Sequence, residues 1–391
     1  MTTASSVSLG IDHLIATGHV SGQRVGLVCN SASIDATFHH TADRLREEPD
    51  IALTTLFSPQ HGFWSDVQDN MIETPHSTHP HYDIPIYSLY SDNREPTAEM
   101  LHKIDTLVID LQDVGTRVYT YIYTMANCLR AARRQNIPIV VCDRPNPIGG
   151  DLVEGPMLKP GYESFVGQFP IPLRHGLTIG ELARLFNDHF GIGAKLEVLP
   201  VGNWTRTMYQ DQTGLAWVMP SPNLPTLDSA LVYPGTVLFE GTNLSEGRGT
   251  TRPFELFGAP WVDIKTLTST LNQATLPGVF IRPEVFEPTF QKHAGQRCCG
   301  GQIHVTNRQS FRPVMTAVTL LAAIRGIAPS QFAWREPPYE YELVRQPIDI
   351  LTGSSTLREQ IEEGVPIPEI LTGWQAAVNK FGVIRRHFLM Y

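Results

Sequence analysis

The sequence lacks the runs that would place it in a membrane or on a nucleic acid. No segment reaches the ~20 consecutive apolar residues of a bilayer-spanning helix. The opening residues, MTTASSVSLGIDHL, have neither the cationic start nor the continuous apolar stretch of an export signal, so a cytoplasmic protein is expected. There is no block of Lys or Arg and the formal net charge is −9. That argues against a nucleic acid or an anionic membrane surface as partner, since both rely on clustered cations. Cysteine is scarce: Cys29, Cys128, Cys142, Cys298 and Cys299 form an odd set of 5 without metal-site spacing, and three of them fall in apolar runs, where a reduced thiol behaves as a small hydrophobe. Cofactor fingerprints are missing as well. The first apolar run ends in CNSASID instead of a G-x-G-x-x-G turn, so the backbone cannot approach a pyrophosphate closely. Walker A, G-x-S-x-G, H-E-x-x-H and paired C-x-x-C patterns do not occur, which argues against hydride transfer and P-loop chemistry. No cofactor or metal is expected. The partner class that remains is a small molecule or a neutral polymer, and there is no internal repeat or low-complexity tract.

What is present is an ordinary globular composition: 391 residues, 42% hydrophobic and 18% charged, enough for one large core or two modest ones. The first half alternates in a regular way. The β-branched apolar runs RVGLVCN (24–30), IALTTLF (51–57), IPIYSLY (84–90), TLVIDLQ (106–112), IPIVVCD (137–143) and LEVLPV (196–201) predict strands buried on both faces. YTYIYTMANCLRAARRQ (119–135) has helical apolar spacing and a basic last turn. TIGELARLFNDHF (178–190) opens with a capping box formed by Thr178 and Glu181. Strand, helix, strand in series predicts an α/β fold with a doubly wound parallel sheet. The connection from about 60 to 83 is long and polar, as functional loops often are. From about 220 the chain is dense in Gly, Pro, Thr and Asn and reads as ordered loop with short strands. After it come a helix near 263–274, strands near 279–282 and 302–306, and helices near 311–326, 355–364 and 366–381. The expected division is 1–225, carrying the active site, and 226–391, an α+β unit closing the cleft.

Parallel strands present their carboxyl ends together, and ligands of open α/β sheets bind there. Asn30, Gln60 with His61, Tyr87 with Tyr90, Asp110 with Gln112 and Asp113, and Asp143 with Arg144 all fall at predicted strand ends. FEGTNLSEGRGTTRPFE places Glu240, Glu246 and Glu255 near Arg248 and Arg252. This is either a structural ion-pair network or a sugar site. Glycoside hydrolysis needs a carboxyl group to protonate the leaving oxygen and usually a second as base or nucleophile. The SEGRG segment is expected to line the same cleft as the Gln60 turn.

The segments SPQHGFW, IDLQDVGTRVYTYIYTM, DRPNPIGG, PIPLRHGLTIGELA, PSPNLPT, YPGTVLFEGTNLSEGRGTTRPFELFGAPW and FLMY together resemble the exo-β-N-acetylmuramidase family of peptidoglycan recycling, over almost the whole chain. The resemblance implies removal of a terminal N-acetylmuramic acid (MurNAc) from the non-reducing end of peptidoglycan fragments, without metal or nucleotide. It also implies a Rossmann-like domain bearing the active site and a smaller C-terminal domain. In the family's best-known form the strand-end turn reads Pro-Glu-His-Gly and its glutamate is the proposed acid/base, whereas this chain has Gln60. An amide cannot serve as a general acid, so another carboxyl must act or turnover is lost. Asp66, Asp69, Glu73, Glu240 and Glu246 are the candidate replacements. The expected catalytic set is Gln60, His61, Glu73 and Glu246. The expected binding set is Asn30, Asp113, Arg117, Tyr121, Asp143, Arg144, Asn223, Glu240, Asn243 and Arg248, with Arg117, Arg144 or Arg248 available to fork the lactyl carboxylate. The rival expectation is a sugar-binding protein that has lost turnover through Gln60.

Overall fold

The structure is a computed structural model that describes residues 7–271 and 276–391. The predicted strands form: β1 (Arg24–Val28), β2 (Ala52–Ser58), β4 (Pro85–Ser88), β5 (Thr106–Ile109), β6 (Ile139–Cys142) and β9 (Leu196–Leu199), with the short β3 (Ser77–Thr78) in the polar connection. They make one 7-stranded sheet in the order β3-β4-β2-β1-β5-β6-β9. All neighbours run parallel except β3, which pairs antiparallel with β4 at the edge. Numbering the parallel strands alone in chain order gives 3-2-1-4-5-6, the doubly wound order, whose direction reverses between β1 and β5. β5 and β6 are buried at every position, as strands covered on both faces must be.

Helices α1 (Gly10–Ala16), α2 (Thr41–Glu47), the short α3 (Ala98–Leu101), α4 (Tyr121–Gln135) and α5 (Ile179–Arg184) flank this sheet. The capping box at Thr178 is present, the hydroxyl accepting from the Glu181 amide and the Glu181 carboxylate accepting from the Thr178 amide. The predicted helix over 178–190 is α-helical only to Arg184 and continues to His189 as a wider π-type turn. A two-stranded hairpin of β7 (Glu154–Met157) and β8 (Pro172–Arg174) lies between β6 and α5.

The second half is a smaller α+β unit. β10 (Leu256–Ala259), β11 (Val279–Phe286) and β12 (Cys298–Val305) form an antiparallel sheet ordered β10-β12-β11. Around it are α6 (Leu227–Thr236), α7 (Ile264–Leu271), α8 (Pro313–Ile327), α9 (Pro347–Thr352), α10 (Thr356–Glu363) and α11 (Ile367–Arg385). The end of the helix predicted near 263–274 lies outside the described residues. One hydrophobic cluster runs through both halves, joining Leu107 and Ile122 to Phe257, Leu320 and Ile370.

Helix α6 corrects the reading of the segment after 220 as loop. Its sequence, LDSALVYPGT, carries Pro234 and Gly235 inside the helix, residues that disfavour helix by local propensity. Contact with α8 decides the matter. A Cβ at Gly235 would lie 2.0 Å from the Pro313 carbonyl oxygen, so only glycine lets the two helices come this close. The cap at Thr226, which accepts from the Ser229 amide, starts the helix.

Candidate active site

Beyond β2 the chain turns through Pro59, Gln60, His61 and Gly62. His61 and Gly62 both hold left-handed backbone, φ 72° and 81°, which glycine adopts freely and histidine only at a cost of ~1–3 kcal/mol. The strained turn sets Gln60 and His61 on the wall of a small polar cleft that they share with Asn70, Asn223, Glu240 and Arg248. His61 Nδ1 is 2.7 Å from the Val67 carbonyl, which can only accept, so Nδ1 carries the proton and Nε2 is left as an acceptor. Burial pushes the pKa of His61 down to about 4, so the ring is neutral near pH 7. The Thr120 hydroxyl donates to Gln60 Oε1 at 2.8 Å. That fixes the amide so that its NH2 faces the Glu340 carboxyl, with which it hydrogen-bonds.

Across the cleft stand Glu240, Arg248, Tyr339 and Glu340. Glu240 accepts from Arg248 Nη2 at 2.8 Å and from the Tyr339 hydroxyl at 2.7 Å. Burial opposes its charge, but Arg248, Tyr339 and Lys292 more than offset that, and its carboxyl sits below the usual range. Among the described residues, Glu340 has no such cation in contact. It accepts from the Tyr90 hydroxyl at 3.1 Å, and burial, reinforced by the nearby charge of Glu240, pushes its pKa up to about 7. The environments of these two carboxyl groups thus push their proton affinities in opposite directions, the arrangement that separates acid from base in many hydrolases. Arg248 also stacks over Phe254 at 5.0 Å, and its Nη1 has no hydrogen-bond partner among the described residues. Among the described residues no group of three or more His, Cys, Asp or Glu is placed to hold a metal ion.

Models of the exo-β-N-acetylmuramidase NamZ family match residues 25–228 for its N-terminal part and 231–391 for its C-terminal part. The chain belongs to the NamZ family. It is 45% identical to the peptidoglycan β-N-acetylmuramidase NamZ of Bacillus subtilis (strain 168), over 98% of this chain and 91% of that one. Crystal structures of two DUF1343 family proteins from Bacteroides fragilis NCTC 9343 share the fold. One has a TM-score of 0.89 at 32% identity and the other 0.76 at 28%, each covering 99% of both chains.

In this member of the NamZ family, the cleft contains Gln60, His61, Tyr121, Asn223, Glu240 and Arg248 from the expected set. Tyr121 supports the turn from behind, its hydroxyl 3.3 Å from the Gln60 carbonyl oxygen, and Asn223 donates to the Gln68 carbonyl at 2.8 Å. The other expected residues do not line it. Glu73 is half-exposed and bound to Arg94 at 2.8 Å, and that bond holds its carboxyl below the usual range. Glu246 is buried between Arg248, at 3.3 Å, and Lys292, at 2.8 Å. The SEGRG segment thus divides: Arg248 faces the cleft, and Glu246 belongs to an ion-pair network behind it. Asn30 donates to Ser65, Tyr121 and the Pro220 carbonyl, tying loops together. Asp113 accepts from the Gly115 amide at 2.8 Å and faces His175. Arg117 is fully buried and donates to the carbonyls of Pro156, Ile171 and Leu351. Arg144 is taken up by Asp110 and the Ile34 carbonyl. Asp143 accepts from Thr178, the Gly180 amide and Tyr391 under the sheet edge, and burial pushes its pKa up to about 7. Asn243 joins the Gln331 carbonyl to the Ala333 amide. These residues brace the loops at the strand ends: Arg144 is neutralised by Asp110, and Arg117 is spent on backbone carbonyls away from the cleft.

Glu340 and Tyr339 fall outside the expected set. They lie in EPPYEYEL, between α8 and α9, where no periodic pattern directs attention. The available signal was a carboxylate flanked by two tyrosines just after two prolines.

Proposed function

We propose that this chain releases terminal MurNAc from the non-reducing end of peptidoglycan fragments, and that the reaction takes place in the cleft lined by Gln60, Glu240, Arg248 and Glu340. The observation that carries the substrate assignment is Arg248. A buried guanidinium whose Nη1 has no hydrogen-bond partner among the described residues, in a cleft lined by Glu240, Glu340, amides, hydroxyls and aromatic rings, suits a ligand with one carboxylate among many hydroxyls. The lactyl group of MurNAc supplies that carboxylate, and Arg can take it through its fork. Asn70, Asn223 and Ser221 offer donors and acceptors for ring hydroxyls and the acetamido group, and Tyr119 and Tyr233 offer ring faces. Neutral His61, with Nε2 free to accept, can hold a sugar hydroxyl without adding charge.

The reaction is hydrolysis of the glycosidic C–O bond, with a carboxylic acid protonating the departing oxygen as positive charge develops on the sugar ring. Glu240, held ionised, provides negative charge against that ring. The test is incubation with a MurNAc–GlcNAc disaccharide and with longer fragments bearing MurNAc at the non-reducing end. Free MurNAc should accumulate, with no internal cleavage of the longer fragments. Recovery of every fragment intact despite measurable binding would replace this reading with a sugar-binding protein.

A further inference from the structure

We propose that Glu340 is the general acid of this enzyme, donating to the departing glycosidic oxygen the proton that the amide of Gln60 cannot supply. This rests on the muramidase reading and adds to it the group that performs the proton transfer.

Geometry supports the assignment in three independent ways. The first is position: Glu340 is 4% exposed and lines the cleft together with Gln60, Glu240 and Arg248. The second is backbone. Tyr339 and Glu342 exchange amide–carbonyl hydrogen bonds, each 2.9 Å, around a two-residue turn whose central residues, Glu340 and Tyr341, have φ of 45° and 69°. Turns with positive φ at both central positions favour Asn-Gly, and a Glu-Tyr pair there costs ~1–3 kcal/mol per residue. A protein selected for stability alone would not place these residues at this turn; their presence makes sense if the turn must present this carboxyl. The third is hydrogen bonding. Tyr90 and the Gln60 amide both reach the carboxyl, so it is oriented, yet among the described residues no Lys or Arg lies in ion-pair contact with it. Glu240 has taken the nearby cation, Arg248.

The charged and titratable groups that face Glu340 are Glu240, Arg248, Tyr90, Tyr233, Tyr339 and Tyr341. Glu240 is the one carboxylate among them, and together with burial it favours the protonated form of Glu340, while Arg248 opposes. Protonated Glu340 gives its hydrogen to the bridging oxygen as the C1–O bond breaks and the bonding pair stays with that oxygen. Water then adds its oxygen to C1, and its surplus proton passes to the Glu340 carboxylate, which restores the acid. A glutamine at position 60 fits this arrangement better than a second carboxylate would. It donates to Glu340 in either protonation state, whereas a carboxylate there would compete for the same proton.

The experiment compares the wild type with Glu340→Gln on two MurNAc glycosides, one with GlcNAc as leaving group and one with dinitrophenolate. General-acid assistance typically contributes ~10²–10⁴-fold, and an oxygen that leaves readily as an anion does not need it. The variant should lose kcat/KM on the disaccharide by that factor while keeping its dinitrophenyl rate within roughly 10-fold, and the alkaline limb of the pH profile, near 7 in the wild type, should disappear. Equal loss on both substrates accompanied by a lowered melting temperature would mean that Glu340 is structural and would overturn the proposal. So would full retention on both. A wild type that hydrolyses neither substrate would instead remove the muramidase reading on which the proposal stands.

Discussion

The Tyr391 hydroxyl donates to Asp143 Oδ2 at 2.8 Å and accepts from the Val201 amide at 2.7 Å. One side chain beyond α11 thus ties the C-terminal segment to the end of β6 and to the loop after β9. Tyr391→Phe would leave a buried carboxylate short of a donor and an amide short of an acceptor. An unmet buried polar group costs ~1–3 kcal/mol, so urea denaturation should show a loss of that size. Turnover by the folded enzyme should be unchanged, because Asp143 does not line the cleft.

The Glu246–Lys292 pair is buried, with side-chain exposures of 3% and 16%, and Lys292 also donates to the carbonyls of Phe239 and Leu244. Glu246→Ala strands a buried ammonium and should cost about 3–5 kcal/mol. Arg24→Ala, which breaks the exposed pair with Asp105, should leave stability nearly unchanged, because solvent screens that pair. Chemical denaturation of the two variants side by side distinguishes the buried network from surface decoration.

Arg248→Lys keeps a positive charge beside Glu240 but loses the fork. If Arg248 receives the lactyl carboxylate, kcat/KM should fall more for MurNAc glycosides than for GlcNAc glycosides, which lack that group. A charge-assisted hydrogen bond of ~1.5–3 kcal/mol corresponds to a drop of roughly 10–100-fold in the ratio. An unchanged ratio would remove Arg248 from substrate recognition.

His61 has a folded pKa of about 4, against ~6.5 for a free imidazole. Between these values the unfolded chain takes up a proton that the folded chain refuses, so acidification from pH 7 to 4 removes stability through this residue; above pH 6.5 it contributes no pH dependence. Asp143 and Glu340, whose pKa values are raised, act in the opposite sense over the same range: their stabilisation is present at low pH and is lost as the pH rises through about 7. The clean observable is therefore a difference between two proteins. His61→Gln should gain on the wild type by about 3 kcal/mol as the pH falls from 7 to 4, measured by denaturation at each pH.

Gln60→Glu would set a second carboxyl against Glu340. A like charge holds a proton on its neighbour, so the alkaline limb of the rate profile should move upward by a pH unit or so (~1.4 kcal/mol of repulsion). A rate that instead rises at every pH, with a new acidic limb, would show position 60 acting as the acid itself.

Much of the architecture is legible from local pattern. Runs such as TLVI and IVVC are apolar at every position, so they need cover on both faces, and with intervening helices that requires a parallel sheet. The Gln60 turn is legible for the same reason: polar residues directly after a buried strand must sit at its carboxyl end. Helix α6 is not legible, because Pro234 and Gly235 argue against it locally and only the contact with Pro313 reverses the argument.

Sequence alone thus determined the doubly wound sheet and the edge on which the site lies. Which polar residues enter the cleft was decided by tertiary structure. Arg117, Arg144 and Arg248 look equally able to hold an anion when read along the chain. Carbonyls of three separate segments absorb the first, Asp110 absorbs the second, and of the three only Arg248 lines the cleft, with its Nη1 unpartnered among the described residues. Glu240 and Glu340 are likewise both glutamates among aromatic and small residues, and folding gives one of them a guanidinium and the other a tyrosine 250 positions away. Protonation state follows from those partners and from burial. Neither is a property of local spacing, so the acid of this site is set by how distant segments meet.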